Sequence, residues 1–106
     1  MSHISHAHID LHTEGRAVAV CVHKALLEKE TYTVIVMDGA EKDEDGKLPT
    51  HRFDVELTSG SPPNEIPDLH DIMTGLNAVL KADVKLATAY AFAVYGMICA
   101  IKFGKL

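Results

Sequence analysis

The sequence predicts an α+β domain. It is read as two layers, an antiparallel sheet of three to four strands packed by two or three helices, in the order βαββαα. Three observations carry that expectation. Leu86–Ile101 (LATAYAFAVYGMICAI) runs sixteen residues without a charge, so it must be covered by something. Tyr32–Asp38 and His51–Leu57 are short, β-branched or alternating segments on either side of a polar stretch. Leu69, Ile72, Met73, Leu76, Val79 and Leu80 recur at helical spacing.

From Ile4 to His12 the residues alternate. Ala7, Ile9 and Leu11 fall on one side of a strand, and His6, His8, Asp10 and His12 fall on the other. Thr13–Glu30 (TEGRAVAVCVHKALLEKE) is read as a helix: Thr13 serves as N-cap, KALLEKE holds strong helix formers, and an unbroken stretch of this length exceeds an ordinary strand. The competing reading is a hairpin, in which Thr-Glu-Gly turns the chain and Val18, Val20 and Val22 alternate.

Tyr32–Asp38 (YTVIVMD) reads as a central strand. The segment Gly39–Thr50 carries an Asp45-Gly46 turn signal and Pro49. In His51–Leu57, Phe53, Val55 and Leu57 oppose Arg52, Asp54 and Glu56, which pairs this strand antiparallel to the previous one. Thr58–Asn64 (TSGSPPN) breaks the pattern. A helix then starts at Pro67, with Asp68 in its first turn, and runs to about Lys81. Asp83 caps the final helix. If Tyr95–Phe103 ends as a strand instead, the order becomes βαββαβ, a ferredoxin-like arrangement.

The uncharged stretch, at helical rise, spans about 24 Å, short of the roughly 30 Å a membrane core requires. A buried helix is therefore expected, apolar on both faces: Leu86, Tyr90, Ala93, Val94, Met97 and Ile101 on one, Phe92, Tyr95 and Cys99 on the other. One face can rest on the sheet, and the second asks for a neighbouring helix or another subunit. Ala89/Ala93 and Gly96/Ala100, each four apart, permit close backbone approach.

The 106 residues fit a single domain, 1–106. A net charge of −5 without a basic cluster argues against nucleic acid as a partner. Cys21 and Cys99 form no CxxC and sit in apolar segments, the pattern of free thiols in a reducing compartment. MSHISHAHID has no apolar core of a secretory signal, so a cytoplasmic protein is expected.

Candidate chemistry is sparse. His6 and His8 are two apart on one strand face and can converge on zinc or another divalent metal. His12, four residues beyond His8, would lie roughly 13 Å away. A solvated polar face competes with that reading. Glu41, Asp43, Glu44 and Asp45 lack the spacing of a calcium-binding EF-hand loop. In a helix Cys21 and His23 would point about 200° apart and form no dyad. Ser59 and Ser61 lack the setting of a nucleophile elbow. An enzyme built at a subunit interface would draw on His51, His70 and Asp71, with Asp54 nearby. No Walker loop or GxGxxG occurs. The expectation is a non-enzymatic protein-binding or regulatory domain, a homodimer through its apolar C-terminal helix. It has no cofactor and no catalytic or metal-site residue assigned, and neither nucleic acid nor membrane as partner. The alternatives are the divalent-metal protein and the interfacial enzyme.

Overall fold

Val18, Val20 and Val22 determine the architecture. In a computed structural model, which describes residues 6–13, 16–25, 30–59, 65–80 and 84–104, these three valines are buried to 1% exposure or less. Ala19 and Cys21 face the other way, half-buried. That parity is a strand's. Arg16–Ala25 forms β2, not the expected helix. Three β-branched side chains on one face match the period of two, and burying each contributes roughly 1.5–3 kcal/mol. A helix would have scattered them around its axis. The helix formers of KALLEKE lie mostly outside the described residues.

β2 pairs antiparallel with β1 (His6–Thr13), Ala7 opposite Val22 and Ile9 opposite Val20. On its other side it pairs with β3 (Thr31–Asp38), Val20 opposite Val36 and Val22 opposite Val34. β4 (His51–Ser59) follows, Val34 opposite Phe53 and Tyr32 opposite Val55. A two-residue strand, β5 (Ile66–Pro67), closes the edge, where a proline costs no ladder bond. The sheet is a five-stranded meander, β1-β2-β3-β4-β5, curled into a half-barrel. This overturns the three- to four-stranded sheet and the βαββαα order: the chain runs βββββαα. It remains a small single α+β domain.

β3 and β4 are joined by a 3₁₀ turn at Gly39–Glu41 and a polar loop. Buried Asp38 accepts a hydrogen bond from the Ala40 amide (3.0 Å), which holds the chain as it leaves β3. In the loop Asp43 accepts from the amides of Asp45 (3.0 Å) and Lys47 (2.8 Å), and Gly46 adopts φ +81°.

Both helices cover the concave valine face. α1 (Leu69–Leu80) is capped by Asp68, whose carboxylate accepts from the His70 amide at 2.8 Å. It buries Ile72, Leu76 and Leu80. Its midpoint, Gly75, lies beneath the ring of Phe53 on β4.

α2 (Val84–Phe103) is one continuous helix, so Tyr95–Phe103 is no strand and the ferredoxin-like alternative is excluded. The Asp83 cap lies outside the described residues. Leu86, Ala87, Tyr90, Ala91, Val94, Ile98 and Ile101 complete the core. Lys102 near its end donates to Glu30 at 2.7 Å, and the Tyr32 hydroxyl donates to the same carboxylate at 2.9 Å. This ties the C-terminal turn of α2 to the start of β3.

Candidate functional site

The outward side of α2 follows from its sequence. Because both sides of the helix are apolar, seating one on the valine face leaves the other uncovered. Ala89, Phe92, Gly96 and Phe103 are exposed, and half-buried Cys99 lies among them. Their steps of three and four residues make a seam of the kind helices use against other helices. Phe92 is 61% exposed and Phe103 44%, and no charge interrupts the seam between Lys85 and Lys102.

Beside the seam lies a cleft of about 390 Å³, lined by Ile66, Pro67, Asp68, Leu69, Phe92 and Tyr95. β5 and the start of α1 form one wall and α2 the other. Among the described residues that line it, only Asp68, whose carboxylate is engaged as the α1 cap, is charged.

Gly96 distinguishes this face from the rest of the molecule. A glycine inside a helix costs about 1 kcal/mol relative to alanine. Gly75 has a reason within the fold, because a Cβ there would come under 3.0 Å from the Phe53 ring. Among the described residues a Cβ at Gly96 would meet nothing within 4 Å.

Lys85–Phe103, nineteen residues, is also long and apolar enough to cross a membrane by length and composition, and half of that span is buried inside the fold. Burial pushes the Cys99 thiol above its ordinary pKa of 9.0, outweighing an opposing hydrogen bond with Tyr95.

The other expected positions are dispersed. His51 donates from Nε2 to the Glu41 carboxylate (2.9 and 3.1 Å), while His70 and Asp71 sit exposed at the start of α1. Asp54 and Asp71 line one acidic cleft with Glu56, Phe53, Thr74 and Gly75, and neither His51 nor His70 is among its described lining residues. Thr33 donates to Asp54 at 2.8 Å. Ser61 falls outside the described residues.

On the convex face of the sheet His6 pairs across the ladder with His23. Its ring stacks on His23, 5.7 Å between centroids. His8 donates from Nε2 to Asp10 (2.9 Å), and its Nδ1 stands 3.5 Å from Cys21 Sγ. The His12 side chain lies outside the described residues. Among the described residues no group of three or more His, Cys, Asp or Glu side chains is arranged to hold a metal ion. Reading Arg16–Ala25 as a helix hid the Cys21–His8 contact, because the partner of Cys21 is set by the β1–β2 register and not by local spacing.

Among the described residues, the ionic cluster at Glu30 joins α2 to the start of β3. Burial opposes charge on Glu30, yet the hydrogen bonds from Lys102 and Tyr32 and the charges of Lys102 and Lys24 prevail, and its pKa is lowered. Burial first, and then the bond to Glu30, pushes the Tyr32 phenol well above its usual range.

No family model matches this chain, and comparison with curated proteins and with solved structures returns no match.

Proposed function

We propose that this protein is a small, non-enzymatic protein-binding domain that works as a homodimer, with the outer seam of α2 as its interface. The observation that carries this reading is Gly96, an exposed mid-helix glycine where an added Cβ would meet nothing within 4 Å among the described residues, one turn from a phenylalanine left 61% exposed. Two copies of α2 crossing antiparallel at Gly96 bring the backbones close. Phe103 then falls opposite the partner's Ala89, and Phe92 opposite the partner's Cys99, so that bulk meets small residues along the seam. An uncharged seam also suits two chains that each carry a net charge of −5, since it keeps like charges out of the contact. Two cysteines without a disulfide fit a reducing, cytoplasmic setting.

The test is molar mass by light scattering over a dilution series, on the parent chain and on Gly96→Leu. The substitution fills open space in the single chain and improves helix propensity, so the isolated domain keeps its fold. It blocks close approach of a second helix. The parent is expected at twice the 11.5 kDa chain mass and the variant at the chain mass. A parent monomeric at every concentration overturns the homodimer, and uptake of the parent by neutral lipid vesicles would assign the seam to a membrane.

A further inference from the structure

The convex face of the sheet carries an arrangement that the docking seam does not use. We propose that Cys21, His8 and Asp10 form a thiol-exchange site, at which Cys21 takes up a small disulfide as a mixed disulfide. The site lies on the face of the sheet opposite α2, so the proposal stands independently of the homodimer.

The wiring comes from the register. His8 is directly opposite Cys21 across the β1–β2 ladder, and Asp10 is two residues on along the same face as His8. An ionised carboxylate only accepts, so the 2.9 Å contact puts the imidazole proton on Nε2. Nδ1 is then the nitrogen with the lone pair, and it is the one 3.5 Å from Cys21 Sγ. Asp10 thus orients His8 as an acceptor for the thiol proton, the acid–base–nucleophile order of activated cysteines.

The backbone around Cys21 selects the chemistry. β2 is hydrogen-bonded to β1 on one side and β3 on the other, Cys21 lying between His8 and Ile35. Its amides serve the ladders, and none is left to hold an oxyanion. Acyl transfer and peptide cleavage generate that oxyanion and depend on such donors. Exchange at sulfur generates none. A small cleft of about 250 Å³ beside the relay, with Asp10, Ala17, Ala19, Met37 and Leu48 in its lining, offers room for part of the incoming molecule.

In the exchange, Cys21 Sγ attacks one sulfur of a disulfide R–S–S–R while its proton passes to His8 Nδ1. The S–S bond breaks as the Cys21–S–S–R bond forms. The departing RS⁻ takes the proton from the imidazolium and leaves as RSH. The Cys21 sulfur is oxidised, the leaving sulfur is reduced, and the disulfide is the oxidant. Asp10 holds the imidazolium while it exists. The reaction is stoichiometric, and a second thiol reverses it.

The experiment uses the full chain and oxidised glutathione, followed by intact mass and peptide mapping over time. The internal control is Cys99, whose thiol burial pushes above its ordinary pKa. The glutathione adduct is expected on Cys21 about tenfold faster than on Cys99, and His8→Gln is expected to slow it about tenfold, at the low end of what a positioned base contributes. Asp10→Asn is expected to fall between them. Circular dichroism of each variant establishes that the sheet is intact, and added imidazole should restore part of the rate in His8→Gly, which a purely structural role of His8 would not allow. Equal rates at Cys21 and Cys99, an undiminished rate in His8→Gln, or a Cys21–Cys21 disulfide between copies in place of the glutathione adduct would each overturn the proposal.

Discussion

The ring of Phe53 on β4 lies so close over Gly75 on α1 that a methyl group added at Gly75 would come under 3.0 Å from the ring carbons. This contact sets how near α1 can approach the sheet. Gly75→Ala gains up to about 1 kcal/mol of helix propensity but forces the ring or the helix to move, an overpacking cost of about 1–3 kcal/mol. The variant is expected to be less stable in urea titration, and Phe53→Leu in the same chain to recover part of the loss. A Gly75→Ala chain at least as stable as the parent would show that the ring turns aside freely.

Tyr90 is 2% exposed, and its hydroxyl has no hydrogen-bond partner among the described residues. A buried hydroxyl left without a partner costs about 1–3 kcal/mol. Tyr90→Phe removes that group and keeps the ring in the core. Its melting temperature is expected to match or exceed the parent's, and a clear drop would reveal a partner for the hydroxyl.

Glu30 links acid stability to the end of α2. Its pKa is held below the ordinary 4.5. The sign follows from linkage: a carboxylate with a depressed folded-state pKa contributes fully above its unfolded value and loses that contribution as pH falls through the folded one. The parent is therefore expected to lose stability progressively below about pH 4.5, and Glu30→Gln to flatten that part of the curve. At neutral pH Glu30→Gln should also be more damaging than Lys102→Met. It leaves Lys102, whose side chain is only 11% exposed, without its carboxylate, whereas Lys102→Met leaves Glu30 with Tyr32 and Lys24. Unfolding titrations at pH 7 and pH 3.5 measure both effects.

Much of the strand parity was legible. Ala7 and Ile9 against His6, His8 and Asp10, and Phe53 and Val55 against Arg52, Asp54 and Glu56, fall on the faces that alternation assigns them. The spacing of α1 was equally plain. What failed was Thr13–Glu30, where helix formers at one end drew the reading away from the valines at the other. Val18, Val20 and Val22 carried the correct answer, but that face is worth burying only once two neighbouring strands widen it into a sheet that the helices can cover. β5 was invisible because two residues hold no period. Phe92 and Cys99 were placed on the second face of α2 from spacing alone, while the cleft beside Phe92 depends on where β5 arrives.

By itself the sequence determined which residues avoid water and with what period, because hydrophobic periodicity and backbone sterics act between residues a few positions apart. It determined that the last helix is apolar on both sides. Only the tertiary structure decided which side would be covered. It alone brought Cys21 to His8 across a ladder and Lys102 to Glu30 across 72 positions, since those meetings depend on strand register and helix docking. It also gave two glycines opposite meanings. Gly75 answers to a ring in its own chain, and Gly96 faces open space.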